Sequence, residues 1–111
     1  MRRCGYPFDA VRITYYTCLM IQSFRCKHTK TLHEGKRVSK WQSCEEAAQD
    51  ALAVLDAATS LSDLRCVPGN HLEELQRDRK GQYSIRINKK WRICFIWTAN
   101  GPERVEIVDY H

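Results

Sequence analysis

Tyr83-Ser84-Ile85-Arg86-Ile87-Asn88-Lys89-Lys90-Trp91-Arg92-Ile93-Cys94-Phe95-Ile96-Trp97 is the stretch that decides the fold. Tyr83, Ile85 and Ile87 alternate with Ser84, Arg86 and Asn88, and Trp91, Ile93, Phe95 and Trp97 alternate with Arg92, Cys94 and Ile96. A period of two over runs of this length predicts half-buried strands, because successive side chains leave a strand on opposite faces. Asn88-Lys89-Lys90 supplies the turn between them. Thr98 to Pro102 is the next turn, with Gly101 suited to a positive φ. Val105-Glu106-Ile107-Val108 completes a further strand. Neighbouring strands joined by such short turns predict an antiparallel meander.

Upstream, the period changes to that of helices. Lys27 to Glu34 reads as a short helix stopped by Gly35. Ser43-Cys44-Glu45-Glu46 has the form of a capping box, with Ser43 as cap and Glu46 reaching back. The helix it opens runs to about Ala58, with Ala48, Ala51, Leu52, Leu55 and Ala58 on one face. Ser62 to Arg65 adds one more turn before Pro68-Gly69 breaks the chain. Met20-Ile21-Gln22-Ser23-Phe24 reads as a first β-strand and as a natural opening of the domain. Residues 1–19 lack a sustained period, and we read them as an extension, either an upstream start or non-native; the domain is 20–111. Helices first and strands second predict an α+β domain, with two or three N-terminal helices packed on one face of a mainly antiparallel sheet.

A chain of 111 residues makes one domain with a modest core. Apolar content of 43% and charged content of 28% exclude wholesale disorder. The net charge of +5 favours an anionic partner without naming it. RNA, DNA, an acidic protein and a membrane surface all fit that charge alone. Removing residues 1–19 takes away three basic groups and one acid, so the remainder stays basic. No window has the run of apolar residues that a membrane span needs, and no signal-peptide core follows Arg2 and Arg3; a cytoplasmic protein with no membrane partner is expected. Six cysteines form no Cys-x-x-Cys pair, and Cys44 and Cys94 read as small packing residues. Cys26, His28 and His33 match no standard zinc spacing. No metal or other cofactor is expected.

Strand parity places the chemistry. If Ile85, Ile87, Ile93 and Phe95 face the helices, then Ser84, Arg86 and Arg92 project from the opposite, open face. Glu106, Val108 and Tyr110 share that face, with Glu106 a candidate ion-pair partner for Arg92, and Asp109 points the other way. The chain closes on Asp109, Tyr110 and His111: a carboxylate that can orient an imidazole, beside two proton-transfer groups. An arginine nearby can contact phosphate through two N–H groups and stabilise a developing oxyanion. The stretch from Arg77 to Arg92 adds Arg79, Lys80, Arg86, Lys89 and Lys90, which can hold a polyanion by charge, as can the lysines of the Lys36 to Lys40 loop. The plainer reading of Lys89, Lys90 and the Asp78-Arg79-Lys80-Gly81 turn is a set of solvated loops.

These residues form a pattern in several ordered blocks. Met20-Ile21-Gln22-Ser23-Phe24, Leu55-Asp56-Ala57-Ala58-Thr59, Pro68-Gly69-Asn70, Asp78 to Asn88, Trp91-Arg92-Ile93-Cys94-Phe95 and Val105 to His111 together resemble the HigB-type toxins of bacterial toxin-antitoxin modules, within the RelE superfamily. The resemblance covers all but residues 1–19. It implies a compact RelE-like fold and an endoribonuclease that cuts mRNA in the ribosomal A site. It also implies a HigA-like helix-turn-helix antitoxin, with operator DNA bound only through the toxin-antitoxin complex. The family's catalytic arginine matches Arg92, and its terminal triplet matches Asp109, Tyr110 and His111. One segment departs. Where some members have Leu-His-Pro-Leu-Lys before a Gly-Asp-Arg turn, this chain has Leu72-Glu73-Glu74-Leu75-Gln76, with Arg77 in place of the glycine. Reduced activity is the expectation, with Glu73 a candidate base. The same superfamily holds ParE-like toxins acting on gyrase, so the alternative is a weakly active or non-catalytic module that binds gyrase or the ribosome.

Overall fold

The computed structural model describes residues 20–109. In chain order these form α1 (Lys27–His33), a 3-10 run (Ser39–Cys44), α2 (Glu45–Ala57), α3 (Leu61–Cys66), β1 (Glu73–Glu74), a 3-10 turn (Arg77–Arg79), β2 (Tyr83–Arg86), β3 (Trp91–Thr98) and β4 (Gly101–Asp109). The four strands lie in the order β1-β2-β3-β4, every neighbouring pair antiparallel. The expected meander is present, with β1 as an added two-residue edge.

One face of the sheet is the core. Ile85, Ile93, Phe95, Val105 and Ile107 form a single buried cluster with Leu32 of α1, Trp41, Ala48, Leu52 and Leu55 of the second helical stretch, and Leu64 of α3. The alanine-leucine face of α2 is buried as its spacing predicts. Thr29 is fully buried and accepts a hydrogen bond from the Ile107 backbone N–H at 3.1 Å, which fixes α1 against β4. Trp41 lies edge-on to Trp91 at 6.1 Å, closing the core beneath the β2–β3 hairpin.

Three local expectations are corrected. Ser43 does not cap α2: the chain is already helical from Ser39 to Cys44, so Cys44 takes the cap position and no side chain caps the helix. Glu45 and Glu46 still sit in the first turn, where carboxylates complement the helix dipole. Met20 to Phe24 is not a full strand; Phe24 makes one parallel bridge to Val105. The cause is a bulge in β4, where Arg104 and Val105 stand opposite the single residue Phe95. Arg104 adopts φ +54° there, and the incoming segment claims the exposed backbone: Ser23 accepts from Arg104 and Val105, while Arg25 donates to Val105. Finally, the turn predicted over Thr98 to Pro102 is shorter, since Gly101 and Pro102 already pair with Thr98 and Trp97. Gly101 has φ +122°, as a hairpin this tight requires.

Candidate active site

The second face of the sheet carries the polar residues, in the register that parity predicts. Glu73, Ser84, Cys94 and Glu106 form one row across the four strands, and Arg86, Arg92 and Val108 form the next. This face is not open, however. Ser84 and Cys94 are fully buried and Arg92 is 7% exposed. Long side chains and the loop before β1 cover it.

Arg92 is the centre of that covered face. Its Nε donates to Ser84 Oγ at 2.8 Å, and its Nη2 donates to the Ser84 carbonyl at 3.3 Å and to the His71 carbonyl. Hydrogen bonds from a charged donor are the stronger kind, and three of them on one planar group fix its orientation. Glu73 Oε1 lies 3.9 Å from Nη2, with the Glu73 side chain half exposed and that of Arg92 nearly buried. Among the described residues, Glu73 rather than Glu106 is therefore the carboxylate beside Arg92. A pair with one partner this exposed contributes little to stability.

His71 reaches Arg92 because the residue before it, Asn70, is held by both its side chain and its backbone. Asn70 is buried; its Nδ2 donates to the Leu64 carbonyl at 3.1 Å, and its own carbonyl accepts from the Arg86 backbone N–H at 2.6 Å. His71 then turns with φ +47°, which aims its carbonyl at the guanidinium. Pro68-Gly69 was legible as a chain break, but the role of the following Asn70 in holding β2 and placing His71 against Arg92 was not.

Arg86 stands directly across from Arg92, with its Nε donating to the Asn88 carbonyl at 3.3 Å. Arg79 belongs to the neighbouring row. Its Nη1 donates to Glu106 Oε2 at 2.9 Å and to Gln82 at 3.1 Å, and Arg25 approaches the same Glu106 oxygen at 3.6 Å. The bond to Glu106 raises the Arg79 pKa further above its ordinary value, against the opposing effect of burial. Below this group, burial pushes the Cys94 thiol up, with the Arg79 charge pulling the other way. Arg79 is thus engaged in the fold, whereas Arg77 and Lys80 are exposed at the turn.

Asp109 is not beside Arg92. It pairs with Trp91 on β3, one residue out of phase, and so leaves the sheet on the other face. Lys90 Nζ lies 3.9 Å from its carboxylate and 5.1 Å above the Trp91 ring. Lys89 is exposed in the same hairpin. Tyr110 and His111 lie outside the described residues.

Charge is segregated along the chain. From Arg25 to Lys40 there are six lysines and arginines against one acid, Glu34, while α2 carries four acids and no base. Lys36 and Arg37 are largely exposed, in long pairs of 3.9 Å with Glu34 and Glu45. Arg25 joins this basic segment to the Glu106–Arg79 group on the Arg92 face. Among the described residues no three His, Cys, Asp or Glu side chains cluster to hold a metal ion. His33 instead packs on Phe24 at 5.7 Å and lies 3.9 Å from Asp56. No helix among the described residues is long and apolar enough to cross a membrane.

Known proteins share this pattern. A segment of 55 residues is 49% identical to toxin HigB-1 of Vibrio cholerae serotype O1, covering 50% of this chain and 58% of that protein. An uncharacterized protein of Haemophilus influenzae is 39% identical over 49 residues, 44% of this chain and 48% of its own. The chain spans about half the length of these two relatives. Endoribonuclease HigB of Proteus vulgaris is 32% identical over 94 residues, which cover 83% of this chain and 100% of that protein. Residues 22–111 match the family of RelE-like toxins of the type II toxin-antitoxin system HigB, and the chain belongs to that family.

Proposed function

We propose that the chain is the toxin of a type II toxin-antitoxin module, a ribosome-dependent endoribonuclease that cuts mRNA in the A site and halts translation in the cytoplasm. The observation that carries this reading is the Arg92 guanidinium, oriented by three hydrogen bonds near the start of β3 and opposite Val108, which precedes the phenol by two residues and the imidazole by three in sequence. Family membership and the endoribonuclease named in Proteus vulgaris support it.

The chemistry follows from those groups. A ribose 2′-hydroxyl loses its proton and attacks the adjacent phosphorus, the bond from phosphorus to the 5′-oxygen breaks, and that oxygen leaves with a proton. Tyr110 and His111 serve the two proton transfers. Arg92 offsets the negative charge that grows on the phosphorane oxygens, and a preorganised donor of this kind is worth about 10²–10³ in rate. Arg86 adds a second positive charge from the same face. With guanidinium groups supplying this charge, we read the reaction as metal-independent. Asp109, through its contact with Lys90, holds the strand end that carries the last two residues. Arg77, Lys80, Lys89 and the basic segment 25–40 attract the RNA backbone without reading its sequence. A HigA-like helix-turn-helix antitoxin neutralises the toxin, and the complex binds operator DNA.

Glu73 favours a second reading, a weakly active module that acts mainly by binding the ribosome or gyrase, because a carboxylate near Arg92 competes with phosphate. Mapping mRNA cleavage on programmed ribosomes, with wild type and Arg92→Ala, separates the two. Loss of cleavage in a variant that still melts cooperatively is the expected result. Growth arrest by Arg92→Ala equal to wild type removes the enzyme.

A further inference from the structure

We infer that Ser84 is the positioning residue for Arg92, holding the guanidinium in the one orientation from which it faces the scissile phosphate; this rests on the ribonuclease reading above. Ser84 is fully buried in the middle of β2, flanked by Glu73 on β1 and Cys94 on β3. A buried hydroxyl is costly unless it is hydrogen-bonded, and strands of this kind favour branched and aromatic residues. The Ser84 hydroxyl has a specific occupation: it accepts from Arg92 Nε at 2.8 Å. The carbonyl of the same residue accepts from Nη2 at 3.3 Å. One residue therefore grips both ends of the Nε–Nη2 edge, and the His71 carbonyl braces Nη2 from the loop.

Turning that edge inward has a chemical consequence. The Nε–Nη2 edge is one that arginine commonly offers to a carboxylate or phosphate in a two-point contact. Here it serves the fold, so Arg92 acts as a fixed charge and not as a swinging arm. A fixed donor aimed at developing charge needs no reorganisation as the reaction proceeds. Ser84 touches no substrate in this arrangement; its effect passes through Arg92.

The test compares Ser84→Ala and Ser84→Cys with wild type and Arg92→Ala, in the full chain, on ribosomes programmed with a defined mRNA. Alanine removes the acceptor, and cysteine keeps a side chain of similar size with a poor one. The expected result is a fall in kcat of about 10- to 100-fold in both variants, with KM little changed, as for misplaced catalytic groups. The second readout is the Arg92 Nε–H resonance in nitrogen-15 spectra, whose exchange with solvent should quicken in both variants. If Arg92→Ala abolishes cleavage while the Ser84 variants keep the wild-type kcat, or the Nε–H exchange is unchanged, Ser84 is not a positioning residue. If Arg92→Ala itself cleaves normally, the ribonuclease reading fails instead. Should Ser84→Ala not fold, the cysteine variant carries the same comparison.

Discussion

Replacing Arg92 by lysine tests whether charge or shape matters at this position. In lysine a methylene stands where arginine carries Nε, so the Ser84 hydroxyl loses its 2.8 Å donor. The ammonium also ends about one bond short of Nη2, whose hydrogen bonds go to the His71 and Ser84 carbonyls. Leaving a buried acceptor without its donor costs about 1–3 kcal/mol. Against a typical stability of about 5–15 kcal/mol the variant still folds. A drop in Tm of about 4–8 °C per kcal/mol measures the loss for a domain of this size. The rate should fall much further, because lysine offers a point charge with no planar fork, and loss of one oriented donor costs about 10²–10³ in kcat. The assay is single-turnover cleavage of mRNA on ribosomes saturated with toxin, so that binding does not enter. A folded Arg92→Lys protein that cleaves at the wild-type rate would refute the argument, and net positive charge alone would then suffice.

Three further outcomes are expected. The Cys26 thiol is pushed up by burial, but the Thr29 and His28 N–H groups, the Thr29 hydroxyl and the Lys40 charge outweigh this and leave its pKa lowered. Its thiolate therefore forms at lower pH than an ordinary thiol's, and alkylation followed by peptide mapping should label Cys26 before the buried Cys44 and Cys94, whose pKa values are raised. Removing Arg79 and Glu106 singly and together should give a coupling of about 1 kcal/mol in denaturant melts, modest because Arg79 is partly exposed. Leu52→Ala, in the fully buried face of α2, should cost about 2–5 kcal/mol while the folded fraction retains its cleavage rate.

Much of the sheet was readable because its two faces differ in kind. Ile85, Ile93 and Phe95 had to face an apolar layer, and that requirement fixed Ser84, Arg86 and Arg92 together and put Asp109 on the other side. The burial of the polar face was not readable. It depends on the His71 carbonyl, 21 residues from Arg92 in sequence, and on Glu106, 27 residues from Arg79. Contacts of that span leave no local period. The Ser43 box failed for the converse reason: its local signal was sound, but the preceding 3-10 run had already moved the helix start. The bulge at Arg104 was hidden too, since arginine gives no sign of a positive φ.

Net charge and chemical charge are held by different residues in this molecule. The exposed cations from Lys27 to Lys40 act through solvent, where attraction is screened over about 8–10 Å, so they serve to gather a polyanion. Arg92 is buried and contributes little to that outer field. In its less polarisable surroundings the same unit charge acts more strongly on a group brought into contact. Arg25 and Arg79, sharing the Glu106 carboxylate, stand between the two sets. Their charge is partly compensated, so an arriving strand meets attraction at the basic segment and an already occupied anion site beside Arg79. Glu73 partly compensates Arg92 in the same way, at 3.9 Å and from a half-exposed position. A phosphate that displaces Glu73 towards solvent gains the Arg92 charge at small cost to the fold, because the guanidinium's hydrogen bonds to Ser84 and His71 do not involve the carboxylate.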